Sequence, residues 1–201
     1  MTGYAKVAVE LLENLGINDI AIVGWSLGGH IGIEMIPLFR GKIRGLMIVG
    51  TPPGSGQGFS FDISTGLAAK KDLSEEEIDV FARGSCGGPF EGWQAEDVRR
   101  TDGRARDIMF KAFVAGEDMD QREIVETSDV LLAVVNGGDE PFVDLDYLDA
   151  IKYKNLWEGK CHRLPGLAHA PFWEAHKVFN PVLERLLQDI SQEKCVFHCR
   201  K

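Results

Sequence analysis

Gly24-Trp25-Ser26-Leu27-Gly28-Gly29 lies between a short apolar run, Ile20 to Val23, and a segment whose apolar residues have helical spacing. A chain that passes directly from strand to helix through a serine holds the hydroxyl clear of its own backbone, the layout of a nucleophile elbow. So sharp a turn crowds the backbone, and glycine is expected two positions either side of the serine, at Gly24 and Gly28. In a chain with 23 glycines the same five residues also suit an ordinary glycine-rich turn, so the flanking pattern must decide.

Upstream, Tyr4, Val7, Ala8, Leu11, Leu12 and Leu15 recur at three-and-four spacing, which predicts a helix face ending at Gly16. Downstream, Leu27, Ile31, Ile33, Met35 and Ile36 form the apolar side of a second helix, closed by Pro37 and Gly41. Leu46 to Val49 is short, continuously apolar and stopped by Gly50-Thr51-Pro52-Pro53, which suits a strand buried on both faces of a parallel sheet. Helix, strand, elbow, helix, strand is the rhythm of a doubly wound, mostly parallel α/β sheet.

From its first residues to about Asp189 the chain resembles the α/β-hydrolase family, in which the serine is followed by an acid and then a histidine. The apolar run Val130 to Val135 leads into Asn136-Gly137-Gly138-Asp139-Glu140-Pro141-Phe142, which looks like the family's acid loop. Register favours Glu140 as the acid, and a one-residue difference would select Asp139. Cys161 to Leu164 reads as a final strand, followed by Leu167-Ala168-His169-Ala170-Pro171-Phe172-Trp173, where His169 takes the place of the base. The family usually has glycine immediately before this histidine; here it is Ala168. Of the other histidines, His30 reads as a packed helix residue, His162 as a strand residue, His176 as part of a polar helix face and His198 as part of the tail.

The resemblance implies acyl transfer. Ser26 attacks a carbonyl, His169 moves the proton, and the carboxylate orients and stabilises the imidazolium. The N–H of Leu27, at the start of a helix, supplies one oxyanion donor, and Trp25 is placed to shape the substrate site. The family's second donor comes from a His-Gly loop after an earlier strand, and the chain is expected to lack that loop and the N-terminal strands. Loss of one such donor typically lowers turnover about 10²–10³-fold. Met1 is then an internal methionine, the start of an alternative transcript or the product of a gene-prediction error. The elbow strand would become an edge of buried character, open to self-association.

The expected organisation is a first core portion over 1–53, a helical cap over 54–127, a second core portion over 128–192 and a tail over 193–201. Gly54-Ser55-Gly56-Gln57-Gly58 reads as a flexible lead-in to the cap. Ser74-Glu75-Glu76-Glu77 predicts an N-capped helix, and Arg104 to Val114 a further one. Phe59, Phe61, Trp93, Met109, Phe110 and Phe113 either line a pocket beneath this cap or pack its helices together. No acid follows the strand at Leu46 to Val49 before Asp62.

A net charge of −9, from 22 basic and 31 acidic side chains, argues against nucleic acid or an anionic membrane as partner. No apolar stretch approaches the ~20 residues of a membrane span, and the first residues do not read as a secretion signal. Cys86, Cys161, Cys195 and Cys199 show no pairing pattern, so a reduced, cytoplasmic chain is expected. The tail 193–201 has Cys and His close together but lacks the second half of a zinc site and a prenylation signal.

The leading expectation is a serine hydrolase of carboxylic esters or related acyl compounds, with no metal or organic cofactor. A catalytically weak relative serving as a binding protein is the alternative. A third reading runs carbon–carbon bond hydrolysis or peroxyacid formation on the same triad. Serine at the elbow argues against relatives that use a carboxylate there.

Overall fold

A computed structural model of the chain describes residues 1–54, 56–60 and 63–198, the side chains of 63–65 and 193–198 excepted. Helix α1 (Thr2–Asn14) precedes β1 (Ile20–Trp25), α2 (Leu27–Leu38) and β2 (Ile43–Val49). Five helices follow: α3 (Ile63–Ala68), α4 (Glu75–Cys86), α5 (Gly92–Arg100), α6 (Gly103–Val114) and α7 (Gln121–Thr127). The chain closes with β3 (Leu131–Gly137), α8 (Leu145–Ala150), β4 (His162–Leu164), α9 (Pro171–Glu174) and α10 (His176–His198). The strands form one sheet in the order β1-β2-β3-β4, and every pair is parallel.

Alternation along β2 and β3 explains why both read as unbroken apolar runs. Met47, Val49, Leu131, Ala133 and Val135 face Phe179, Val182, Leu186 and Ile190 of α10, while Leu46, Ile48, Leu132 and Val134 face Ile33 of α2, Val125 of α7 and Leu148 of α8. Helices thus cover both faces of the sheet, and full burial of each such Val, Leu or Ile contributes about 1.5–3 kcal/mol. β1 pairs with β2 alone among the described strands, and its Val23 is 49% exposed.

Local signals placed most boundaries. Gly16 ends α1 with φ +68°, and Ser74 caps α4 in a reciprocal box with Glu77. Asp102 caps α6, and Pro37 lies inside the last turn of α2 rather than ending it. Helix α1 differs from its predicted face. It packs on α2 through Ala5 and Val9, supported by Ala8 and Leu12, and exposes Tyr4, Val7, Leu11 and Leu15. Small residues let the two helices approach closely, and the bulkier stripe one position away turns outward. Helix α10 runs past residue 193 to His198. Cys199, Ser55, Phe61 and Asp62 lie outside the described residues.

Candidate active site

Ser26 occupies the turn between β1 and α2 with φ +49° and ψ −116°. This is a strained conformation for a residue with a Cβ, of the kind that concentrates at functional sites and costs about 1–3 kcal/mol. Its N–H donates to the Val49 carbonyl at 2.7 Å, and its own carbonyl accepts from the Thr51 hydroxyl at 2.8 Å, so β2 and the following loop hold the turn. A Cβ at position 24 would stand 2.5 Å from the Gly28 carbonyl oxygen, which makes Gly24 obligatory. Gly28 departs from the expected pattern, since a Cβ there meets nothing within 4 Å. The second crowded position is Gly29, where a Cβ would come within 2.1 Å of Thr51 Oγ1. Leu27 opens α2, so its N–H is among those that a helix leaves without an internal partner.

His169, on the loop between β4 and α9, is buried, and its Nδ1 lies 2.9 Å from each carboxylate oxygen of Glu140. Glu140 follows the end of β3, and its Oε1 also accepts the Phe142 N–H at 2.9 Å. Asp139 is exposed and makes no hydrogen bond to His169; its N–H donates to the Leu167 carbonyl. Glu174 holds the histidine loop from below by accepting the N–H groups of Ala168 at 2.8 Å and Ala170 at 3.1 Å, the residues flanking His169. Trp25 Nε1–H donates to the His169 carbonyl at 2.9 Å, and Phe142 meets the imidazole edge-on at 4.8 Å. Gly50 approaches so closely that a Cβ there would be 2.5 Å from His169 Cε1.

Ser26, Leu27, Trp25 and His169 line one cavity of about 550 Å³. The inserted helices supply much of its wall: Phe81 and Ala82 from α4, Trp93 from α5, and Met109, Phe110 and Phe113 from α6. Phe59 joins them, so the aromatic residues singled out from the sequence, Phe61 aside, face the cavity. The wall suits an apolar chain ending beside Ser26. Cys86 also lines it, but burial pushes its thiol up from the ordinary value, which disfavours a thiolate nucleophile there. No cluster of three or more His, Cys, Asp or Glu side chains among the described residues is placed to hold a metal ion.

Sequence reasoning missed a second polar array. His30, one turn along α2 from Ser26, is buried as a packed helix residue would be, yet its ring also lines the cavity, between Phe59 and Phe113. Its Nδ1 lies 2.7 Å from Gln121 Oε1, Gln121 Nε2 donates to Glu34 Oε1 at 2.7 Å, and Thr2 Oγ1 donates to Glu34 Oε2 at 2.6 Å. The only signal in the sequence was the four-residue interval from Ser26 to His30. Burial lowers the pKa of His30 to about 4, and neither its bond to Gln121 nor the Asp118 carboxylate offsets that.

The alpha/beta hydrolase family model matches residues 2–182. Among solved structures, N-acyl homoserine lactonase AidH complexed with N-butanoyl homoserine is 48% identical and superposes with a TM-score of 0.92, covering 95% of this chain and 71% of that one. A mutant of the same lactonase complexed with N-hexanoyl homoserine lactone is 47% identical with the same TM-score, covering 95% and 72%. The esterase RhEst1 from Rhodococcus sp. ECU1013, at 20% identity, TM-score 0.71 and coverage of 94% and 71%, shares the fold. No curated protein matches the chain. No helix among the described residues is long and apolar enough to cross a membrane.

Proposed function

The chain belongs to the alpha/beta hydrolase family, and from that premise we propose that it hydrolyses N-acyl lactones and related carboxylic esters through Ser26, His169 and Glu140. The observation that carries this reading is the buried His169, 2.9 Å from Glu140, lining the same cavity as a serine held at φ +49°. A carboxylate only accepts, so the imidazole proton sits on Nδ1 and the Nε2 lone pair is left to act as base.

Ser26 Oγ attacks the lactone carbonyl as Nε2 of His169 takes the hydroxyl proton, and Glu140 stabilises the resulting imidazolium. The oxyanion is met by the Leu27 N–H at the positive end of α2. Collapse of the tetrahedral intermediate breaks the ring C–O bond, and His169 returns its proton to the departing alkoxide. Water, activated by the same imidazole, then cleaves the acyl-enzyme to the free acid and restores Ser26. In this reading α3 to α7 act as a cap that shapes the acyl pocket, with Trp25 in its lining. The 47–48% identity to a lactonase favours a ring ester over an open one.

The test is labelling by a fluorophosphonate serine probe together with acid release from N-hexanoyl homoserine lactone, in wild type and Ser26→Ala. Labelling and turnover in wild type, with loss of both and a turnover drop of about 10⁶-fold in Ser26→Ala, support the proposal. Equal residual rates in the two proteins would sink it. Binding of the lactone without turnover in wild type would favour a binding protein.

A further inference from the structure

The array behind His30 is ordered by one side-chain amide, that of Gln121. Gln121 turns its NH₂ toward Glu34 Oε1 at 2.7 Å, an oxygen that accepts from it. The other end of that amide, Oε1, is therefore the group that faces His30 Nδ1 at 2.7 Å. A carbonyl oxygen also only accepts, so Nδ1 carries the imidazole proton and Nε2 carries a bare lone pair. No hydrogen bond from a described residue reaches Nε2, while the ring lines the cavity that holds Ser26. Phe59, stacked at 6.0 Å, and Phe113, edge-on at 5.9 Å, hold the ring from two sides. Burial keeps this imidazole neutral through the physiological range, so the acceptor persists.

An acceptor in a largely aromatic wall discriminates by what is placed against it. A ligand group with a proton satisfies the lone pair, whereas a methylene leaves it buried and unpaired. Gln94, the buried side-chain amide of the cap wall, presents the opposite chemistry, since its Oε1 accepts the Glu91 N–H and its NH₂ is left without a partner. We infer that His30 is a specificity-determining residue whose Nε2 accepts a hydrogen bond from the amide N–H of an N-acyl substrate bound with its ester carbonyl at Ser26. The inference rests on the proposed hydrolase reading and adds to it the reason an N-acylated substrate is preferred over an all-carbon one.

The decisive comparison uses N-hexanoyl homoserine lactone and the analogue with CH₂ in place of the amide N–H, which keeps the same scissile ring ester. Wild type should favour the amide by about ten- to a hundredfold in kcat/KM. In His30→Leu that preference should collapse toward one, through loss on the amide substrate alone. Gln121→Leu leaves the imidazole in place but removes the acceptor that holds the proton on Nδ1, and should produce the same collapse. No preference in wild type, or equal loss on both substrates in the variants, would overturn the inference. A measurement without any change in the array covers the case of misfolding: histidine ¹⁵N NMR of Ser26→Ala. His30 Nε2 should resonate as an unprotonated nitrogen in the free protein and shift on binding the amide lactone but not the methylene analogue. A protonated Nε2, equal shifts, or binding of neither ligand would count against it. Turnover surviving in Ser26→Ala would defeat the hydrolase mechanism and leave the ¹⁵N result to stand on its own.

Discussion

His169, on the loop after β4, has its Nδ1 2.9 Å from a carboxylate; His30, on α2, has its Nδ1 2.7 Å from a neutral amide. Both rings are buried, both line the same cavity, and both are polarised through the same nitrogen. The partner's charge separates them. In the proposed mechanism the Glu140 carboxylate stabilises the cation formed on His169. Gln121 cannot, and burial then lowers the pKa of His30 to about 4. On the proposed reading, two imidazoles in one cavity take different chemistry, one moving protons and one accepting a hydrogen bond.

The largest expected effect comes from making the first region resemble the second. Glu140→Gln gives His169 an amide partner, and kcat should fall about 10⁴-fold with little change in fold. Asp139→Asn, at an exposed side chain, should stay within about threefold. The reverse order in steady-state rates would move the acid to Asp139.

The opposite exchange sharpens the comparison through pH. The folded-state pKa of His30 lies below its ordinary 6.5, so the unfolded chain binds the proton more readily. The stability of the neutral form is complete above about 6.5 and is lost as pH falls toward 4, by about 3 kcal/mol at most. Exchanging the carboxylate and the amide in Gln121→Glu/Glu34→Gln places the charge beside Nδ1 and should raise this pKa. Its denaturant midpoint should then lose less between pH 7 and pH 5 than that of wild type. An unchanged pH slope would show that His30 does not set it.

The smallest effect concerns the turn from which both regions diverge. Gly28→Ala adds a methyl into open space on a helix and should stabilise the fold by up to about 1 kcal/mol, whereas Gly24→Ala should destabilise it well beyond that. Thermal melts of the two variants read the difference. Equal destabilisation would restore the symmetric glycine requirement.

Much of the site was legible because its signals are local. The run Ile20 to Val23, the turn at Ser26 and the acid and histidine loops after later strands each depend on neighbours within a few residues. The same holds for the Ser74 capping box, found as expected. Register favoured Glu140 without excluding Asp139, and the approach of His169, 29 positions away, distinguishes the two adjacent carboxylates. The face of α1 was misread because two apolar stripes lie side by side on it, and close contact with α2 selected the one with smaller side chains.

The sequence by itself determined the alternation of strands and helices, the sharp turn at Ser26 and the chain order of Ser26, Glu140 and His169. Those follow from backbone sterics and from periodicity along neighbouring residues. Tertiary structure alone decided that Gly29 rather than Gly28 is the crowded glycine, since the obstructing Thr51 belongs to the loop after β2. It also decided that His30 is part of the cavity. Gln121 reaches Glu34 across 87 positions of chain and His30 across 91, and hydrogen bonds of that range exist only once α7 has docked on α2. The tautomer inferred for His30 rests on that packing, because a histidine's tautomer is set by what its other nitrogen meets.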